Sequence, residues 1–276
     1  MLSEAEIKRW NAEGYLIIRG FFSSEEIALV GEALRGDEAI AERSYGLADQ
    51  SGGATSIAVW NHPGDDTLGL IPRLDRMVGT AEALLGGEVY HYHSKVTTKA
   101  PNGGGTWDWH QDYGYWYKNG CLWPDMLSVA IAVSEQTEEN GCLRLLAGSH
   151  RLGRIDHYIY GEQTGADVDR MELLASHLPE ALFLGVPGDV CFFHGNTLHN
   201  SSPNASDGPR ELIVCAYNTA ANDPVIDHHH PGYTPLHRVD DQAIIDQGLV
   251  MAGESRRFMN PADDISIESF SPPPGG

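Results

Sequence analysis

Residues 107–116, WDWHQDYGYW, set a histidine and an aspartate two positions apart, His110 and Asp112, among aromatic rings. In an extended chain, residues i and i+2 point to the same face. This imidazole and this carboxylate can therefore aim at one point while Gln111 faces the other way. A further ligand has to come from elsewhere, and FFHGNTLHNSS, residues 192–202, offers His194 and His199. An odd separation along one strand would turn those two to opposite faces, so only one fits; the candidate is His199, at the end of a later strand. Two histidines and one carboxylate on neighbouring strands form the facial arrangement that holds non-haem Fe(II) and leaves coordination positions open for a cosubstrate and dioxygen. The same donors suit catalytic zinc with a metal-bound water. Arg210, eleven residues after His199, opens the apolar run RELIVCAY. A guanidinium projecting from there into the same cavity suits a bidentate carboxylate ligand, which argues against a zinc hydrolase.

These residues need a rigid frame, and the sequence shows one. Ser3 followed by EAEIKRWNAEG reads as a capped helix stopped by Gly14. YLIIRGFF reads as a short strand, and SSEEIALVGEALRG as a second helix capped by Ser23 or Ser24. Residues 37–68, rich in Gly and Asp, read as loop. IPRLDRMVGTAEALLGG reads as a third helix with Pro72 near its start. From residue 88 the aromatic and β-branched segments EVYHYHSKVTTKA, MLSVAIAVSEQ, GCLRLLAGSH, ALFLGVPGDVCFFHGNTLHNSS and RELIVCAYNTA read as strands separated by Gly/Pro turns. Such a series suggests a sandwich or barrel. The division expected is a single domain over 1–276: a helical part to about 87, a β core over about 88–222 and a C-terminal extension over 223–276. DDQAIIDQGLV is a helix-like piece in the extension, and the tail SPPPGG is expected to be disordered.

Composition narrows the class. The 276 residues carry a formal charge of −21, which repels nucleic acid and anionic membranes. No apolar run approaches the roughly 20 residues that span a bilayer, and the polar, acidic start does not read as a secretory signal. Four scattered cysteines without a C-x-x-C pair fit a reduced, cytoplasmic setting. The composition permits a homo-oligomer. Thirteen histidines are the oddity, but the run of three at 228–230 is expected to be a solvated loop, because consecutive side chains cannot all converge.

The segments WHQDYGYW, ENGCLRLLAGSH, PGDVCFFHGNTLHNSSPN and RELIVCAYN, with NAEGYLIIRGFFSSEEI near the start, resemble the phytanoyl-CoA dioxygenase family of Fe(II)/2-oxoglutarate oxygenases over roughly residues 5–222. The resemblance implies a mainly β chain with flanking helices, folded as a double-stranded β-helix, a cupin-like jelly roll. It implies His110, Asp112 and His199 as iron ligands, and it is what favours His199 over His194. It assigns Arg210, with Ser201, Thr97, Lys99 and Ser128, to the 2-oxoglutarate cosubstrate. His93, Lys95, Tyr115, Trp116 and Ile131 would line the substrate pocket. Implied cofactors are Fe(II), 2-oxoglutarate and O2; the products are succinate, CO2 and an oxidised small molecule. Keeping Asp112 favours hydroxylation over halogenation, since halogenating relatives carry a small residue there. A free metabolite or natural-product intermediate suits the chain better than an acyl-CoA, for which it shows no basic cluster. A non-catalytic cupin-like binding protein is the remaining alternative.

Overall fold

Ser3 opens the first helix, Glu4–Glu13, through a capping box with Glu6, and Gly14 closes it in the left-handed region at φ 79°. Ser23 and Glu26 repeat the device at the second helix, Ser24–Gly36. The structure, a computed structural model, describes residues 2–50, 52–252, 256–264 and 270–273. Of the tail expected to be disordered, residues 274–276 lie outside the described residues, whereas the Ser271 carbonyl accepts a hydrogen bond from the Ile159 N–H.

Two expectations before residue 88 need correcting. The segment read as loop contains a helix, Glu38–Arg43, and the strands Tyr45–Ala48 and Ala54–His62. The last of these joins the central sheet through Val89–Lys99. The segment read as one helix from residue 71 is broken. Ile71–Arg73 is a single 3-10 turn, Leu74 is extended at ψ 136°, and the helix proper is Asp75–Leu85.

Among the described residues, eight strands form the large sheet. Along its path lie Tyr15–Ile18, Val190–His194, Met126–Ala132, Arg210–Thr219, Val89–Lys99, Ala54–His62 and Arg257–Phe258, with Tyr45–Ala48 also on Ala54–His62. A four-stranded sheet faces it: Glu180–Leu182, Leu143–Leu146, His199–Ser201 and Trp107–His110. This is the double-stranded β-helix. The two faces of the large sheet do different jobs. Leu127, Val129, Ile131, Phe192, Ile213 and Tyr217 pack with the helical residues Trp10, Val30, Leu34, Met77 and Val78. Ala130, Ala132, Phe193, Leu212 and Val214 face inward onto Leu143 and Leu145 of the small sheet. The period of two along a strand then fixes what can reach the interior. Arg210 pairs with Lys99, Leu212 with Thr97 and Val214 with Lys95, so those residues all project inward.

The C-terminal extension is clamped onto this frame by a buried charge cluster. Arg256 is wholly buried, donates to Asp66 Oδ2 at 3.0 Å through Nε, and also bonds Asp37. Both aspartates cap helix starts, at 38 and 67. The guanidinium lies 5.0 Å from the Trp60 ring centre. Removing the cation strands two buried carboxylates, so Arg256→Ala should lower unfolding stability by about 3–5 kcal/mol. Urea denaturation measures this, and a loss under about 1 kcal/mol would contradict it.

Candidate metal centre

The strand Trp107–His110 ends at His110, and a five-residue helix, Asp112–Trp116, begins two residues later. The pair is thus not on one strand, as the sequence suggested. Gln111 between them is extended (φ −111°, ψ 133°), which keeps both side chains on one side. Gln111 is fully buried on the other. Its amide donates to the Gly153 and Asn196 carbonyls, both at 2.8 Å, and accepts from the Ile155 N–H. Behind the helix, the Gln111 N–H donates to His157 Nε2 at 2.9 Å. A Cβ on Gly114 would sit 2.5 Å from that ring, so only glycine lets the helix seat there.

His199 starts the strand next to Trp107–His110 and pairs directly with His110. His194 belongs to a different strand in the other sheet, so the premise of a shared strand fails. His194 packs on Trp10 and His150, away from the centre. Among the described residues, His110, Asp112 and His199 form the one group able to hold a metal, with ligand atoms all within 4.8 Å of one another. The two Nε2 atoms lie 3.8 and 3.9 Å from Asp112 Oδ1.

The protonation states suit a cation. His110 Nδ1 lies 2.7 Å from the Asp108 carbonyl and His199 Nδ1 2.9 Å from that of Thr197. A carbonyl only accepts, so each Nδ1 carries the proton and each Nε2 offers a lone pair to the centre. Burial holds both imidazoles below the usual histidine range, so they stay neutral. Burial would push the Asp112 carboxyl up, but the Lys95 ammonium and the Ser128 hydroxyl outweigh it and hold the group well below the usual carboxylate range. One charged carboxylate and two neutral imidazoles, with bonds near about 2.1 Å, fit a divalent ion after a contraction of under about an ångström.

Two chambers meet at this centre, sharing Lys95, Trp107 and His110. The inner one, about 60 Å³, is walled by Leu143, Phe193, Leu212 and Val214 and includes Thr97, His199, Ser201 and Arg210. Arg210 is 3% exposed and donates to Thr97 Oγ1 at 3.1 Å, while its Nε is buried without a partner among the described residues. Burial draws its guanidinium down to about 10. The outer chamber, about 210 Å³, includes His93, Tyr115, Trp116, Glu162 and His230.

The structure thus brings Thr97, Ser201 and Arg210 to the inner chamber and His93, Lys95, Tyr115 and Trp116 to the outer. Three assignments are corrected. Ile131 lies on the helix-facing side of its strand, an odd number of residues from the inward Ser128 and Ala130. Lys99 lies behind Ser201, donating to its Oγ at 2.7 Å and to the Ser202 carbonyl at 2.5 Å, and lines neither chamber. Ser128 also lines neither; its hydroxyl donates to Asp112 Oδ2 at 2.5 Å. That charge-assisted bond leaves Oδ1 facing the imidazoles. Ser128→Ala should weaken Fe(II) affinity about 10- to 100-fold, read by metal titration; unchanged affinity would remove Ser128 from the site.

Residues missed from the sequence include Thr55, Ile57 and Val59, all on Ala54–His62. The signal was present in the alternation of ATSIAVW. Met259, Pro261 and Asp264 come from the extension, and nothing local marks them; His230, also from the extension, was marked by the histidine run but given another destination. The expectation of a solvated loop at 228–230 is overturned for His230, which is buried and stacked on His93.

Fold and centre together define a jelly-roll protein with a two-histidine, one-carboxylate metal site, the architecture of a non-haem oxygenase. The chain belongs to the phytanoyl-CoA dioxygenase family, whose sequence model matches residues 10–212. It is 30% identical over 237 residues to an ectoine dioxygenase of Bordetella parapertussis, covering 80% of this chain and 77% of that one. An L-proline trans-4-hydroxylase of Streptomyces griseoviridis is 27% identical over 244 residues, covering 83% and 89%. The crystal structure of EctD from S. alaskensis with 2-oxoglutarate and 5-hydroxyectoine shares the fold with a TM-score of 0.73 at 23% identity, over 87% of this chain and 88% of that one. No helix among the described residues is long and apolar enough to cross a membrane.

Proposed function

We propose that this chain is an Fe(II)- and 2-oxoglutarate-dependent oxygenase that oxidises a small organic molecule. His110, Asp112 and His199 would hold the iron, the inner chamber the cosubstrate and the outer chamber the substrate. The observation that carries the reading is Arg210, a buried guanidinium with no acidic partner among the described residues, at the wall of a narrow chamber that shares His110 and His199 with the metal centre. A buried cation of this kind wants a carboxylate. Bound iron supplies the activation of dioxygen that couples decarboxylation of 2-oxoglutarate to oxidation of a substrate C–H bond. The protein's own residues position and exclude. Arg210 and the Thr97 hydroxyl would hold the distal carboxylate, with the Ser201 hydroxyl beside them. Phe193, Leu143, Leu212 and Val214 keep water from the cosubstrate's chain. Four buried free cysteines, Cys121, Cys142, Cys191 and Cys215, support a reducing, cytoplasmic setting. Glu162 and Asp264 on the outer chamber disfavour the phosphates of an acyl-CoA.

Purified protein mixed with Fe(II), 2-oxoglutarate and a metabolite pool should release succinate and add one oxygen to a pool component, both read by mass spectrometry. Metal-loaded protein that neither binds 2-oxoglutarate nor forms succinate would sink the reading.

Lys99 adds a pH signature. Burial, with Arg210 nearby, holds its ammonium down to about 6. A dicarboxylate beside Arg210 raises that value again. The folded complex then binds a proton the free protein lacks above pH 6, so 2-oxoglutarate affinity should fall as pH rises from 6. Calorimetry in two buffers of different ionisation enthalpy should show proton uptake at pH 7.5; equal heats in both would refute it.

A further inference from the structure

The extension after residue 222 lies beyond the matched family segment, yet it supplies His230, Met259, Pro261 and Asp264 to the outer chamber. His230 stacks on His93 with ring centres 4.7 Å apart and planes at 24°, and Tyr92 packs 4.5 Å away. Its tautomer is fixed from behind. Asn61 Nδ2 donates to the His229 carbonyl at 2.6 Å. An amide turned the other way would set its oxygen against that carbonyl. The Asn61 oxygen therefore faces His230, 2.8 Å from Nδ1, where it only accepts. The His230 proton sits on Nδ1 and Nε2 keeps a bare lone pair, on a ring that lines the chamber. Burial, then His93, His229 and His228, keeps the ring uncharged, so that lone pair stays available. Asp264 shares that lining and contacts the neighbouring His229, whose Nε2 is 3.5 Å away and whose ring is 4.2 Å from that of His230.

We propose that His230 Nε2 and the Asp264 carboxylate form an amine-recognition site, and that the substrate is a small molecule carrying a protonated amine bound away from the metal. The inference rests on the oxygenase reading, since it assigns a substrate to that reading's outer chamber. Polarity along the chamber supports it. Lys95 stands at the metal end, 3.8 Å from Asp112, and repels a cationic group there. The extension presents a neutral acceptor and a carboxylate, with Glu162 also on the lining. An amine is accordingly drawn to the extension, and the carbon presented for oxidation lies toward the opposite end of the molecule.

The test uses the full chain, labelled with 15N-histidine, loaded with Zn(II) as a diamagnetic substitute and saturated with 2-oxoglutarate. Long-range 1H–15N correlation, assigned through His230→Phe, should show Nδ1 protonated and Nε2 bare. n-Butylammonium should shift the His230 and His93 signals with a Kd at least about tenfold below that of butyrate or n-butanol. His230→Phe, which keeps an aromatic ring on His93, should lose that preference. Asn61→Leu should release the tautomer and weaken the amine about in step with the lost Nδ1–H fraction. A protonated Nε2, no butylammonium binding up to its solubility limit, or a preference for butyrate would each overturn the inference. Because 2-oxoglutarate binding is measured in the same sample, its failure would condemn the oxygenase reading separately.

Discussion

Asp112→Ala abolishes succinate formation and weakens Fe(II) binding by at least about a hundredfold, because it removes the one anion from a centre otherwise built of two neutral imidazoles. Loss of a residue that merely supports a ligand costs 10- to 100-fold; loss of the charged ligand itself exceeds that. The variant should still fold. Asp112 is 3% exposed, and its burial costs free energy that Lys95 and the Ser128 hydroxyl offset. Those contacts outweigh the cost of burial, so deleting the carboxylate should lower the metal-free melting temperature, by an amount that still leaves a cooperative unfolding transition. Metal titration, succinate assay and thermal unfolding on one preparation distinguish this from a folding defect. Retained Fe(II) affinity, or turnover within tenfold of the parent, would show that another set of ligands does the work.

What could be read from the sequence depended on how local its cause was. His110 and Asp112 were legible because the backbone between them is extended, and an extended backbone fixes side-chain direction without help from the rest of the fold. The helix start at Asp112 did not disturb this, since the turn begins after Gln111. Arg210 was legible because a cation opening an otherwise apolar strand has few destinations. Ile131 was misplaced because MLSVAIA is buried on both faces and carries no polar alternation to set its phase. Only the pairing of Ser128 with Ala216 and Phe193 fixes which residues turn inward, and that is tertiary information. Lys99 has the inward phase, yet Ser201 stands between it and the chamber. Composition misled at residues 37–68, where the Gly- and Asp-rich flanks hid the strand Ala54–His62. His230 was out of reach for a different reason. Its place against His93 follows from a chain that crosses back over the sheet, held by Arg256 and Asn61, and no periodicity encodes such a path.

Arg210→Met has two expected effects of opposite sign, and together they test why a cation sits in that wall. The first is on the cosubstrate. Truncating one member of a buried charge pair costs about 2–5 kcal/mol, so 2-oxoglutarate affinity should fall by roughly 30- to several thousand-fold. The second is on the protein without ligands. Burial draws the Arg210 guanidinium down to about 10, so the fold disfavours its charged form. A group whose folded pKa lies below its unfolded value destabilises most where both states are charged, and that includes pH 7. Methionine of similar length, set among Leu143, Leu212 and Val214, removes this cost. The ligand-free variant should therefore be about 1–3 kcal/mol more stable to urea than the parent. With 2-oxoglutarate and metal at saturation the order reverses, since only the parent gains the binding free energy of the dicarboxylate. Four unfolding curves decide the matter. A variant less stable than the parent in both conditions would mean that Arg210 is a structural residue, satisfied by its own neighbours, and the inner chamber would lose its claim on a dicarboxylate.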